Sequence, residues 1–145
     1  MKAVVQRVSS ASVRVGNDVV GRCEVGLVVL AAAHRNDTTE NARKLADRVA
    51  GLRIFNDEAG KMNLALADVG GSVLAVSNFT VYGDAAKSRR PSFMASAPYE
   101  EGEARFAEFI AALRALGVTV ETGVFGADMQ VDLVNDGPVT LIVEG

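Results

Sequence analysis

Near the N-terminus, residues 3–8 and 11–15 alternate apolar and polar positions, the period-two pattern of half-buried strands. Gly16-Asn17-Asp18 then supplies residues that tolerate positive φ, and 19–25 returns as a strand, so a hairpin is predicted. After Gly26 the run Leu27-Val28-Val29-Leu30-Ala31-Ala32-Ala33 has no polar position, as a central strand covered on both faces requires. The period changes at Asp37. With Glu40 three residues on, Asp37 suggests a capping box, and Ala42, Leu45, Ala46, Val49 and Leu52 follow at helical spacing. Arg53-Ile54-Phe55 predicts a short strand leading into a loop of turn formers, 56–61, whose charges are solvated.

Residues 72–82 alternate imperfectly through Val73, Leu74, Val76, Phe79 and Val81, which predicts a strand carrying Ser77 and Thr80. Side chains three apart on a regular strand point to opposite faces, so either a bulge intervenes or one of the two packs or uses only its backbone. The pattern lapses over 83–98. A helix then starts near Pro98, with Glu100, Glu101 and Glu103 where its dipole favours acids, a stripe of Phe106, Phe109, Ile110, Leu113 and Leu116, and Gly117 as its stop. Strands are predicted at 118–122, 129–134 and 138–144. With about eight to ten strands and two main helices, a doubly wound sheet is excluded. The expected architecture is α/β of the α+β kind: one domain, 1–145, of two packed β-sheets, barrel-like, with both helices on one side as a three-layer β/β/α sandwich.

Composition narrows the chemistry. In 145 residues, 49% hydrophobic and 23% charged, the balance is that of a soluble globular protein. No apolar run is long enough to cross a membrane, and the alternating start does not read as a secretion signal, so a cytoplasmic protein with no membrane partner is expected. Cys23 is the only cysteine, which excludes an internal disulfide and reads as a small buried strand hydrophobe. A net charge of −3 gives no broad basic face, so any nucleic-acid contact must be local. The lone histidine, His34, excludes a two-histidine metal site and reads as a loop residue; no metal or cofactor is expected.

Two short runs stand out as chemistry. Ser77-Asn78-Phe79-Thr80 and Asn135-Asp136-Gly137-Pro138-Val139-Thr140 are rich in small and hydroxylated residues that expose main-chain groups. With the first run extended as SNFTVYGD at 77–84, and together with KSRRPSF at 87–93, GVFGADM at 123–129, the opening MKAVVQRV and the stretch from Arg53-Ile54-Phe55 to Gly60-Lys61-Met62-Asn63, they cover nearly the whole chain in order. In this ensemble the chain resembles the D-aminoacyl-tRNA deacylases.

That resemblance implies a homodimer with active sites at the subunit interface, which hydrolyses the ester joining a D-amino acid, or mischarged glycine, to the tRNA 3′ end and rejects L-aminoacyl-tRNA. It implies that Ser77, Asn78, Phe79 and Thr80 line the catalytic pocket, with main-chain donors near Phe79 and Thr80 holding the oxyanion. Thr80 is either a nucleophile, for which no base is evident, or a positioning residue, with the 2′-hydroxyl of the terminal adenosine assisting. The resemblance further implies a cis Gly137-Pro138 bond reaching into the partner's pocket as a chirality filter, and Arg7 holding its carbonyls. Phe125 and Met129 would bind the terminal adenine, and Lys87, Arg89 and Arg90 the tRNA phosphates. The family's usual glutamine is Asn78 here, and its common leucine is Val81. A noncatalytic dimeric module binding tRNA ends or nucleotides, and a hydrolase of other small esters, are the competing classes.

Overall fold

In the computed structural model, which describes residues 1–145, the two N-terminal runs join into one long strand. Strand β1 (Lys2–Val15) pairs along one edge with β8 (Gln130–Glu144) over almost its full length. Its opposite edge is divided: Lys2 to Val8 pair with β3 (Gly26–Ala32), and Ala11 to Val15 with β2 (Asp18–Cys23). The β1–β8 ribbon is therefore shared by two sheet layers. Parallel pairing carries β3 on to β6 (Ser72–Ser77) and then to β7 (Val120–Thr122). The curl nearly closes where β2 meets β7: a Cβ on Gly21 would lie 2.6 Å from the Thr122 carbonyl oxygen, so only glycine allows that approach. A separate hairpin pairs β4 (Phe55–Asn56) with β5 (Met62–Leu64).

Alternation along β3 and β6 divides the core. Leu27, Val29, Ala31, Val73 and Ala75 face the helices, while Val28, Leu74 and Val76 face Val8, Ala11, Val13 and Cys23 between the sheet layers. This is the barrel-like, helix-covered architecture expected, and β3 is buried on both faces as its unbroken apolar run requires. Helix α1 (Thr39–Gly51) buries Ala42, Leu45, Ala46 and Val49, and α2 (Tyr99–Ala115) buries Phe109, Ile110 and Leu113. Removing a ring such as that of Phe109 from water is worth about 1.5–3 kcal/mol.

Four local expectations change. The α1 cap is Thr38, whose N–H donates to Asn41 Oδ1 at 2.8 Å; Asp37 is engaged elsewhere, accepting the His34 N–H at 2.6 Å and pairing with the Met1 ammonium at 2.8 Å. Leu116 leaves the α2 stripe and is exposed, because the helix has ended and Gly117 (φ +85°) turns the chain away. The strands at 129–134 and 138–144 are one strand with irregular pairing opposite Gln6 to Ser10. The strand expected over 72–82 stops at Ser77 and becomes a 3-10 turn, Phe79–Tyr82.

Cys23 is 6% exposed in the inner layer. Burial, followed by the nearby charges of Glu24 and Glu121, pushes its thiol up to about 11 from an ordinary 9.0. The folded state then holds the proton that the unfolded chain loses above pH 9, so this group's contribution to stability is full below pH 9 and is lost as pH rises towards 11. Iodoacetamide at pH 8 is expected to leave Cys23 unmodified in the native protein and to alkylate it readily in denaturant; equal rates in the two states would contradict this burial.

Candidate active site

Ser77 and Thr80 do not lie on one strand: Ser77 ends β6, and Thr80 stands in the turn that follows. Asn78 N–H donates to the Ala31 carbonyl at 2.9 Å, the last bond to β3, after which the chain bends away with Asn78 at φ −149°, ψ 89°. No bulge is needed, because the strand has ended. The first bond inside the 3-10 turn runs from Val81 N–H to the Asn78 carbonyl at 3.2 Å. The N–H groups of Phe79 and Thr80 precede that ladder and have no partner within the turn. Ser96 Oγ donates to the Phe79 carbonyl at 2.8 Å and fixes the plane of the following peptide, the one that carries the Thr80 N–H.

Beside this junction lies a cavity of about 750 Å³ between the end of β3, the start of α2 and the 125–133 segment. It is large enough for a nucleoside with an attached acyl group. Ser77, Asn78 and Phe79 form one wall, and Phe125 and Met129 another, so five of the residues singled out in the sequence meet here. Thr80 does not line the cavity: it is exposed, and its Oγ1 donates to Asn78 Oδ1 at 2.5 Å. Since that proton goes to an amide oxygen, which is no base at neutral pH, the geometry does not prepare Thr80 as a nucleophile.

Tyr99, Gly102 and Phe106, all on α2, were not foreseen as site residues. Tyr99 meets the Phe125 ring edge-on at 5.1 Å, and Phe106 lies 6.1 Å from it. A signal was present: aromatics at 99 and 106 stand two turns apart on one helix face. Gly126, at φ +77°, lets the chain pass the Tyr99 hydroxyl, since a Cβ there would collide with that ring. His34 lies outside the cavity. Its Nδ1 accepts the Asn36 N–H at 3.1 Å, its ring meets Tyr82 edge-on at 5.4 Å, and it borders a separate polar cleft with Asp37, Glu100 and Arg105.

Gly137-Pro138 is a cis peptide on an exposed part of β8, away from this chain's own cavity. Arg7, 8% exposed, braces the segment from below. Its Nε donates to the Asp136 carbonyl at 3.0 Å and its Nη1 to the Ile54 carbonyl at 2.7 Å. The held carbonyl in this chain is that of Asp136, the residue before Gly137, where the resemblance implied those of Gly137-Pro138 themselves. On the other side Asn135 Oδ1 accepts the Val139 N–H at 3.0 Å, and Asn135 Nδ2 donates to Thr140 Oγ1 at 2.9 Å. Lys87, Arg89 and Arg90 are exposed on the 84–92 loop, and none takes part in the ion pairs.

Comparison with known proteins places these features in a family context. The profile described as D-Tyr-tRNA(Tyr) deacylase matches residues 4–144. A protein of Thermus aquaticus named D-aminoacyl-tRNA deacylase is 55% identical over 144 residues, covering 99% of this chain and 95% of that protein. One of the same name from Anaeromyxobacter dehalogenans is 56% identical, covering 99% of this chain and 97% of its own. Among solved structures, a c-Myc DNA unwinding element binding protein superposes with a TM-score of 0.94 at 36% identity, covering 100% of this chain and 99% of the other. A probable eukaryotic D-amino acid tRNA deacylase superposes at 0.85 with 18% identity, covering 99% of this chain and 98% of the other, a likeness of fold.

Proposed function

The chain belongs to the D-Tyr-tRNA(Tyr) deacylase family and is a D-aminoacyl-tRNA deacylase, a hydrolase of an ester bond; on that footing we propose how its residues divide the work. The observation that carries the reading is the cavity wall at Ser77-Asn78-Phe79, ending in a turn whose first N–H groups are free of the turn's own ladder. The Phe79 N–H at the cavity wall, with the Thr80 N–H next to it in the turn at the cavity's edge, receives the ester carbonyl oxygen as water adds and negative charge develops on it, a contribution of about 2.7–4 kcal/mol for each well-placed donor. The carbonyl carbon gains a bond to the water oxygen, the bond to the ribose oxygen breaks, and the proton passes to that leaving oxygen with the neighbouring 2′-hydroxyl assisting. Phe125, Met129 and the α2 aromatics hold the terminal adenine. Lys87, Arg89 and Arg90 take the phosphates.

Selectivity in this reading belongs to Gly137-Pro138 of a second copy of the chain, whose main-chain oxygens exclude an L side chain while admitting D-residues and glycine. Its exposure in one chain and its bracing by Arg7 support that role, and a homodimer follows from it. The cytoplasm, where aminoacyl-tRNA is used, is the corresponding compartment.

Incubation with D-tyrosyl-tRNA, glycyl-tRNA and L-tyrosyl-tRNA is expected to release amino acid from the first two only. Intact D-ester would leave the noncatalytic tRNA-end module as the better reading, and equal loss of all three would remove the filter. Thr80→Ala is expected to keep hydrolysis within about tenfold of the parent, because the main chain supplies the donor; a fall of about 10⁴-fold would restore the nucleophile.

A further inference from the structure

Where Phe79 leaves the cavity wall it adjoins an exposed apolar and basic surface, Phe93, Met94 and the 84–92 loop, that does not line the cavity. Phe79 is 59% exposed, Phe93 37% and Met94 76%. The two rings meet edge-on, with centroids 5.2 Å apart and planes 72° apart, an arrangement that leaves the face of one ring open. This pair is held in place. Phe93 packs so closely on Gly83 that a Cβ there would lie 2.8 Å from the ring, and the Phe79 carbonyl is tied to Ser96.

The basic loop springs from the same point. Asp84 and Ser92 exchange two backbone hydrogen bonds, at 2.8 and 2.9 Å, and close its neck one residue before Phe93. Within it Asp84 Oδ1 accepts the Ala86 N–H at 2.9 Å, and Ser88 Oγ accepts the Arg90 N–H at 3.1 Å, so the loop is shaped by its own polar groups. Lys87, Arg89 and Arg90 neither pair with a carboxylate nor donate a side-chain hydrogen bond. Three uncompensated cations are thus gathered beside exposed rings in a chain of net charge −3.

We propose that the Phe79–Phe93 pair and the 84–92 loop form a second nucleotide subsite, which stacks the unpaired nucleotide preceding the terminal adenosine of the tRNA substrate and neutralises its phosphates. Stacking platforms set in a local basic field are how single-stranded nucleic acid is held without reading its sequence. Phe79 also lines the cavity, so the platform is continuous with the place the terminal nucleoside takes. A second copy of the chain would cover the same apolar surface. The three free cations match the dense charge of a phosphate backbone, one per nucleotide, better than a second copy whose net charge is −3 over the whole chain.

The inference rests on the deacylase reading, and two substrates separate them: D-tyrosyl-tRNA, and the 3′-D-tyrosyl ester of adenosine alone, which lacks the preceding nucleotide. Phe93→Ala is expected to raise KM for the tRNA ester by roughly 5- to 100-fold with kcat unchanged, and to leave the adenosine ester unaffected. Phe93→Trp should restore the tRNA KM. Lys87→Ala/Arg89→Ala/Arg90→Ala should flatten the salt dependence of that KM and not that of the adenosine ester. An equal loss on both substrates would reduce Phe93 to a prop for Phe79, and no change on the tRNA ester would remove the subsite. A sedimentation change in Phe93→Ala with tRNA kinetics intact would give the surface to a second copy instead. A wild-type protein that hydrolyses neither ester would overturn the deacylase reading and the subsite with it.

Discussion

Gly137→Ala is expected to lower kcat/KM for D-tyrosyl-tRNA by about 10²-fold while the protein stays folded. Gly137 sits at φ +130°, outside the range L-residues adopt comfortably, and its Cβ would lie 2.9 Å from Val139 Cγ2 and 3.0 Å from Arg7 Nη2. Both neighbours are themselves engaged, Arg7 by the Asp136 and Ile54 carbonyls and the Val139 N–H by Asn135. The least constrained response is for the exposed main chain of 137–138 to move. A strained position of this kind costs on the order of 1–3 kcal/mol, which for a chain of this size lowers Tm by only several degrees. Activity would fall further, because in the role proposed for this segment its carbonyl oxygens must stand within about 1 Å of their places. The measurement is kcat/KM on D- and L-tyrosyl-tRNA beside a thermal melt. Unaltered rates on both substrates would show that the segment does not face the substrate.

Arg7→Ala is expected to act on stability and selectivity together. The guanidinium is the only buried charged or polar side chain in the protein. It satisfies the carbonyls of Asp136 and Ile54 and approaches Asn56 Oδ1 at 3.4 Å, tying β1 to both the β4 hairpin and the Gly137 segment. Truncation strands two carbonyls and opens space, a loss of roughly 2–4 kcal/mol, or about 5–15 °C in Tm. The Asp136 end of the proposed filter loses its brace, so the ratio of D- to L-tyrosyl-tRNA hydrolysis should narrow. Arg7→Lys keeps the charge and can reach one carbonyl, not two in a fixed fork, and is expected to recover part of the stability and less of the selectivity. A melt and a D/L ratio both unchanged in Arg7→Ala would show that the filter stands without it.

Much of the scaffold could be read from periodicity because burial imposes it. The unbroken apolar run of β3 lies between two packed layers, and the α1 stripe of Ala42, Leu45, Ala46 and Val49 faces the sheet. Capping was harder to read, since Asp37, Thr38 and Thr39 can all cap in principle. Thr38 takes the position because the Asp37 carboxylate is drawn to the Met1 ammonium and the His34 N–H, partners outside the helix. The end of β6 was hidden for a similar reason: Phe79 and Val81 continue a strand-like pattern, but the bond from Asn78 to Ala31 is the last that β3 offers.

The sequence by itself determined the classes of residue available for chemistry. One histidine and one cysteine exclude a two-histidine metal site and an internal disulfide, and the runs Ser77-Asn78-Phe79-Thr80 and Asn135 to Thr140 stood out as small and hydroxylated segments that expose main-chain groups. Tertiary structure alone decided the division among them. Side-chain alternation says nothing about a strand that ends, so only the turn at Asn78 could show that Thr80 points out of the cavity and gives its proton to an amide. Nor could spacing reveal that Arg7 grips Asp136 across 129 positions, or that Tyr99 and Phe106 close the cavity against Phe125. Such contacts are fixed by how the layers pack, and packing brings together residues whose separation along the chain carries no period.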